Sequence, residues 1–211
     1  MKLTKYEHAC FVVEKDGSAI VVDPGEYTTD FVAPEHVVGI VITHLHEDHF
    51  SVEHIEQILR GSPAALIIGP SDVTAHLSQY TTRTVANGNS FAIEGFDLDF
   101  YGDDHAVIHA DFPHPQNVGV LIEDRIYYPG DSLTMPEKSV DVLALPISAP
   151  WMKLSEAIEF MKAIGARLTF PSHDAILSHA GQQMSDKMIG SFADTAGTTY
   201  QRIDGETIII E

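Results

Sequence analysis

Cysteine is nearly absent from this chain, and so is any segment that would direct it to a membrane. Cys10 is the only cysteine among 211 residues, so no disulfide can form within the chain. It lies in an apolar run beside His8, which is weak evidence for activation, and we expect an inert buried thiol. There is no N-terminal apolar leader and no apolar run of membrane-spanning length. We therefore expect a cytoplasmic protein with no membrane partner.

Positive charge is also scarce. Lys and Arg together number 12 against 31 Asp and Glu, and the formal net charge is −19. Binding of nucleic acid requires clustered Lys and Arg, so we expect no nucleic-acid partner. We interpret most of the acidic residues as a solvated surface that aids solubility, and some as candidate metal ligands.

The hydrophobic pattern predicts a mixed α/β protein. The length of 211 residues and a hydrophobic content of 44% suit one large domain, residues 1–211. Strand-like runs dominate the early part, and strands alternate with helices later. The predicted strands are 9–14, 18–23, 37–43, 65–68, 91–93, 96–101, 118–123, 126–128, 141–145, 167–170 and 208–210. The predicted helices are 52–60, 72–79, 154–164 and 181–193. This order favours two packed layers of sheet with outer helices.

The densest chemical signal is a cluster of three histidines and an aspartate within six residues. Its members are His44, His46, Asp48 and His49. The cluster follows a short apolar strand and precedes a helix for which Ser51 is a plausible N-cap and Gly61 a C-terminal stop. α/β folds place functional groups on such strand-to-helix turns.

These residue types are good ligands for zinc and for other divalent first-row metals. A turn can direct His44 and His46 at one ion while Asp48 and His49 face a second. A lone histidine is more often a core or surface residue, but four such groups at this spacing favour a metal site.

The segment His44-x-His46-x-Asp48-His49 resembles the H-x-H-x-D-H signature of the metallo-β-lactamase-fold hydrolase superfamily. Three further strand ends resemble family motifs in the expected order. They are Asp23-Pro24-Gly25, Gly130-Asp131-Ser132 and Phe170-Pro171-Ser172-His173. The similarity is greatest to the compact branch of ascorbate-6-phosphate lactonase-like and ribonuclease Z-like hydrolases. It implies a four-layer αββα sandwich with the metal site along one edge.

The resemblance also implies a binuclear centre of two divalent ions, zinc first, with manganese and iron as alternatives. One ion would be held by His44, His46 and a third histidine. The other would be held by Asp48, His49 and His173, with Asp131 as the bridge. Asp48 would in addition be catalytic, by orienting water or by carrying its proton to the leaving group. Asp23 would support the ligand turn through hydrogen bonds.

The third histidine has three candidates. His105 is preferred because the segment from Gly95 to His105 resembles the family strand that ends on this ligand. His109 lies four residues later and could be the ligand, a partner of the ligand or a substrate contact. His114 stands between two prolines, in a rigid loop that we expect to be exposed.

The only tryptophan, Trp151, follows another predicted strand and has two interpretations. It could wall a substrate pocket, with Lys153 contacting an anionic group. Base rates favour plain core or interface packing, and we prefer that interpretation.

We therefore predict a metal-dependent hydrolase that uses a binuclear metal-activated hydroxide on a small molecule. The expected substrate is an ester, lactone or phosphodiester metabolite. The alternatives are an oxidoreductase of the same fold and a non-catalytic metal- or ligand-binding protein. The sequence leaves homo-oligomerisation open.

Overall fold

Two seven-stranded sheets form the centre of the computed structural model, which describes all of residues 1–211. The first sheet contains, in spatial order, β14 (Thr207–Ile209), β1 (Lys2–Lys5), β2 (Phe11–Lys15), β3 (Ser18–Val22), β4 (Val37–Val41), β5 (Leu66–Gly69) and β6 (Thr82–Thr84). The second contains β13 (Thr199–Tyr200), β12 (Leu168–Ser172), β11 (Val142–Pro146), β10 (Ile126–Tyr128), β9 (Gly119–Ile122), β8 (Phe96–Tyr101) and β7 (Ser90–Ile93).

Four helices cover the outer faces of these sheets. They are α1 (Val52–Gly61), α2 (Ser71–His76), α3 (Leu154–Ile164) and α4 (His179–Ala196). A core of 23 buried residues lies between the sheets. A second cluster packs α1 and α2 on the first sheet, and a third packs α3 and α4 on the second. The layers are therefore helix, sheet, sheet, helix, and the predicted αββα sandwich is confirmed.

Strand direction explains why the chemically active loops meet. In the first sheet β1 and β3 are both antiparallel to β2, and β3 pairs in parallel with β4. In the second, β8 and β10 are both antiparallel to β9, and β10, β11 and β12 run parallel. The carboxyl ends of parallel strands share one edge of a sheet. The loops that follow β1, β3 and β4 therefore share an edge, as do those that follow β8, β10, β11 and β12.

Most predicted elements are present, and the differences are local. α3 has the predicted bounds, and α1 begins after Ser51, whose side chain accepts from the His54 backbone N–H at 3.5 Å. Gly61 is the last helical residue, and Ser62 caps the helix. Three short strands were not predicted: β1, β6 and β13. Their sequences are polar or only two residues long, so pairing with neighbours rather than an apolar pattern defines them.

No helix in the structure combines the length and the hydropathy that a membrane crossing requires.

Candidate metal centre

Eight metal-competent side chains meet at the shared strand edge, in two groups. The first group is His44, His46, His105 and Asp131, and the second is His8, Asp48, His49 and His173. Within each group the candidate ligand atoms all lie within 4.8 Å of one another. All seven residues expected to bind metal are thus brought together, and His8 is an addition.

In the first group, hydrogen bonds fix how two of the imidazole rings face the interior. The Nδ1 of His44 lies 3.0 Å from the Thr43 hydroxyl, and Nδ1–H of His105 donates to the carbonyl of Ala106 at 2.5 Å. The Nε2 atom of each ring is then left for the interior of the site. Ligand histidines usually have their second nitrogen held in this way, because the hydrogen bond sets both the tautomer and the ring orientation.

In the second group, the Nδ1 atoms of two imidazole rings are held by hydrogen bonds in the same way. His49 Nδ1 lies 2.7 Å from Asp23 Oδ2, and His173 Nδ1–H donates to the Ser148 carbonyl at 2.6 Å. Asp131 lies between the two groups, with Oδ1 3.2 Å from His49 Nε2 and Oδ2 3.2 Å from His105 Nε2.

Several of these inward-facing atoms are buried and have no hydrogen-bond partner. They are Nε2 of His49, His105 and His173, and Oδ1 of Asp131. A buried polar atom without a partner is costly, and buried polar groups in native proteins are normally satisfied. Here the atoms lie close to one another, but they are not aligned for hydrogen bonds. Ligand atoms around a common metal ion have the same arrangement. Imidazole and carboxylate are also the donor set that divalent first-row metals accept, so the residues present fit such ions.

The charges of these side chains agree with a metal site. Burial lowers the pKa of His44 well below its usual range, and His46 is shifted in the same direction, so both offer neutral lone pairs. Burial opposes the charged form of His173, but Asp131 and Asp48 outweigh it and raise its pKa to about 9. Protonated imidazole thus balances the carboxylates at neutral pH, and a bound cation would take over that role.

The expected supporting role of Asp23 is visible in its contacts. Asp23 Oδ1 accepts from the Thr43 backbone N–H at 2.8 Å, and Oδ2 accepts from the Thr43 hydroxyl at 2.6 Å. The same carboxylate contacts His49, as described above. One buried side chain therefore ties both ends of the His44–His49 turn to β3.

The position of Asp131 depends on Asn117, which sequence reasoning missed. Asn117 Oδ1 accepts from the Asp131 backbone N–H at 2.9 Å, and its Nδ2 donates to the Pro129 carbonyl at 2.9 Å. A Cβ at Gly130 would lie 2.3 Å from Asn117 Oδ1, and Gly130 has a positive φ of 64°. Glycine therefore allows the amide to approach the backbone at the turn.

The preferred interpretation of Trp151 as plain packing was wrong. Its ring is half-buried, and its Nε1–H donates to Asp131 Oδ2 at 2.9 Å. It thus contacts the carboxylate between the two groups. Lys153 is exposed at the start of α3 and does not line the cavity beside the site.

His8 is the residue of the cluster that the sequence did not reveal. Its Nδ1 accepts from the Ala175 backbone N–H at 3.2 Å, so Nε2 carries the proton and donates to Asp48 Oδ2 at 3.0 Å. Its ring is buried, and burial lowers its pKa to about 4, which keeps it neutral. Because β1 was not predicted, no strand end was available from which to place His8 at the site edge.

The structure separates the candidates for the third histidine. His105 is 3% exposed and lies in the first group. The side chain of His109 is 63% exposed and pairs with Asp111 in the loop beyond the cluster. His114 is exposed in the same loop, as expected.

An open cavity of about 840 Å³ lies beside the second group. Asp48 and His173 contribute to its wall together with His46. A small organic molecule could therefore reach the candidate metal ligands directly from solvent.

Comparison with known proteins agrees with the fold and the site. A family model described as a beta-lactamase superfamily domain matches residues 2–173. Protein Rv0786c of Mycobacterium tuberculosis is 34% identical over 99% of this chain and 99% of its own. A UPF0173 metal-dependent hydrolase of Flavobacterium johnsoniae is 26% identical over 99% of this chain and 91% of its own. Igni18, a metallo hydrolase of Ignicoccus hospitalis, superposes with a TM-score of 0.75 at 19% identity over 100% of this chain and 99% of its own.

The αββα sandwich, with histidines and carboxylates gathered at one edge, agrees with a metal-binding member of the beta-lactamase superfamily. The chain belongs to the beta-lactamase superfamily, within which it is similar to the UPF0173 proteins, and it is a metal-dependent hydrolase.

Proposed function

We propose that the cluster is a binuclear centre that hydrolyses a small-molecule ester, lactone or phosphodiester. The observation that carries the proposal is the set of buried, unpartnered ligand atoms on both sides of Asp131. His44, His46 and His105 would hold one divalent ion, and Asp48, His49 and His173 would hold the other; Asp131 contacts both groups. Zinc is the expected metal, since it accepts both imidazole and carboxylate ligands.

When bound, two such ions would supply Lewis-acid polarisation of the substrate oxygen and a lowered pKa for water. The chain's own contribution is orientation. Asp23, Ala106 and Ser148 each contact an Nδ1 and so fix where an Nε2 points. Such preorganisation is needed because small displacements of ligands weaken a metal site.

Asp48 is the candidate catalytic carboxylate. It lines the cavity, whereas Asp131 is buried behind it. His8 donates to Asp48 Oδ2, and this fixed hydrogen bond leaves Oδ1 free to orient water or to carry a proton to the leaving group. The protein would perform this reaction in the cytoplasm.

Elemental analysis after metal loading, combined with turnover on esters, lactones and phosphodiesters, tests the proposal. We expect about two ions per chain and hydrolysis without oxygen consumption. Asp131→Ala should lose activity by several orders of magnitude. Fewer than one ion per chain at saturating zinc or manganese would contradict the binuclear centre. Oxygen-dependent turnover without hydrolysis would instead indicate an oxidoreductase.

A further inference from the structure

We propose that the substrate is an uncharged carboxylic ester or lactone with an apolar group, and that substrates with an anionic group facing the cavity wall are rejected. This inference rests on the proposed hydrolase function and narrows its substrate class. It comes from the cavity beside the candidate metal ligands, which has one apolar side and whose one further charged side chain is a carboxylate.

The apolar side of the cavity is formed by five side chains: Tyr27, Leu45, Ala149, Pro150 and Ile176. Ile176 is 51% exposed and Tyr27 is 39% exposed, so neither is there to complete the core. Large apolar side chains that remain in contact with water beside a polar centre are typical of ligand sites, where they bury the substrate's apolar surface. The tilted contact between the rings of Tyr27 and His8, at 5.2 Å, holds one wall against the site.

The charged groups of the cavity would repel an anion. Apart from the candidate ligands His46, Asp48 and His173, the only ionisable side chains that line it are Tyr27 and the exposed Glu47. No Lys or Arg lines the cavity. Sites that recognise phosphate or carboxylate normally supply Arg, Lys or a cluster of backbone N–H groups.

Two other cations on this edge, Arg202 and Lys5, are already engaged, and the exposed Lys153 does not line the cavity. Arg202 pairs with Asp186 at 2.8 Å and with Asp204 at 2.6 Å, and it also contacts Asp174, the neighbour of His173. Lys5 is fully buried, and its ammonium donates to the His8 carbonyl at 2.8 Å. Neither is free to bind a substrate anion.

The metal ions do not remove this selectivity. A divalent ion attracts an anionic phosphoryl oxygen more strongly than a neutral carbonyl oxygen, so the ions themselves would not exclude a phosphodiester. Discrimination then falls to the part of the substrate that faces the cavity walls. There an apolar group gains by burial, whereas an anionic group faces Glu47 on a chain of net charge −19.

The test uses two esters with the same reacting group and different charge. The metal-loaded protein is assayed with p-nitrophenyl butyrate, which is neutral, with the anionic p-nitrophenyl hemisuccinate, and with bis(p-nitrophenyl) phosphate. The spontaneous rate without protein is subtracted for each, because the carboxylate of the hemisuccinate attacks its own ester. We expect kcat/KM for the butyrate to exceed that for the hemisuccinate by about tenfold, because one like-charge contact is avoided. High salt should lower this ratio of kcat/KM values, since screening weakens the repulsion between Glu47 and the anionic ester.

Two variants of cavity residues and one control variant test whether the selectivity against the anionic ester arises from the cavity walls. Glu47→Gln should raise kcat/KM for the hemisuccinate several-fold more than it changes kcat/KM for the butyrate. Ile176→Ser should raise KM for the butyrate with little change in kcat, because it removes apolar contact only. The control is Glu35→Gln, which makes the same change of charge on an exposed residue just before β4, at the opposite strand end. The control variant should change kcat/KM for neither ester.

The outcomes separate the two proposals. Equal or better turnover of the hemisuccinate or of the phosphodiester would overturn the inference and leave the hydrolase function intact. The inference would also be overturned if Glu47→Gln left the ratio of kcat/KM between the butyrate and the hemisuccinate unchanged. No hydrolysis of any substrate by a protein shown to hold two metal ions would overturn the proposed function, and this inference with it.

Discussion

At the scale of single residues, the candidate site depends on what holds the far side of each ligand. Asp23 and two main-chain carbonyls each contact an Nδ1, and the opposite Nε2 is thereby directed inward. The buried Nε2 atoms without hydrogen bonds are the consequence. From these contacts we expect different effects when His105 and His109, two histidines of one loop, are substituted.

His105→Ala should reduce the metal content from about two ions to about one, because it removes one of three imidazoles proposed for the first ion. His109→Ala should keep both ions, since that side chain is 63% exposed and lies outside the cluster. Elemental analysis of both variants, with circular dichroism to verify folding, decides between them. Loss of metal in His109→Ala and retention in His105→Ala would reverse the assignment.

His8 should act as a positioning residue for Asp48. His8→Phe keeps the ring but removes the hydrogen bond to Oδ2, and we expect the metal affinity to fall by about 10–100-fold. His8→Gln can restore a donor and should recover part of the loss. Competition with a chelator measures the affinity.

The matched control for His8 is His179→Phe, at an exposed site where the imidazole contacts only Gln183. If His8→Phe binds metal with the same affinity as the parent protein, Asp48 does not need the hydrogen bond from His8.

At the scale of elements, the site is held by close packing between two loops. The loop after β3 passes directly against the turn after β4. A Cβ on Gly25 would lie 2.0 Å from the Asp48 carbonyl oxygen and 2.5 Å from the His49 nitrogen. Both contacts are with main chain, which cannot rotate away as a side chain could.

Gly25→Ala should therefore displace the His44–His49 turn and weaken metal binding, with a loss of stability of about 1–3 kcal/mol typical of overpacking. Gly190→Ala in α4 is the control, because its Cβ would meet nothing within 4 Å. That helical substitution should stabilise the protein by about 0.5–1 kcal/mol. Denaturant unfolding and metal titration measure both effects. Unchanged metal affinity in Gly25→Ala would show that the turn tolerates the shift.

At the scale of the whole molecule, the hydrophobic core and the candidate metal site are separate. The three apolar clusters lie between the sheets and beneath the helices, and none contains a candidate ligand. Folding should therefore not require metal. Bound metal should still stabilise the native state, because the assembled ligand set exists only there.

Removal of metal by a chelator should lower Tm without unfolding the protein at room temperature. At a free metal concentration 100 times Kd, one ion contributes about 2.7 kcal/mol. For a chain of this size that is a decrease of about 5–10 °C. Calorimetry before and after chelation, and after restoring zinc, measures the effect. An unchanged Tm, or loss of secondary structure at 25 °C, would contradict it.

The sequence determined the features that are local in the chain. Four metal-competent side chains fall within six residues at one turn, so the site could be recognised without knowing any long-range contact. Apolar spacing likewise predicted α3, and the Ser51 cap predicted where α1 begins. Continuously apolar runs predicted the central strands, because those strands are buried on both faces.

Only the tertiary structure decided what depends on pairing between distant segments. His8 meets Asp48 from 40 positions away, and Trp151 meets Asp131 across 20. His105 and His109 lie four residues apart, and only the structure shows that His105 is buried in the cluster while His109 is exposed. Sheet order and register set these distances. They arise from the sum of many strand pairings, which no short stretch of sequence encodes by itself.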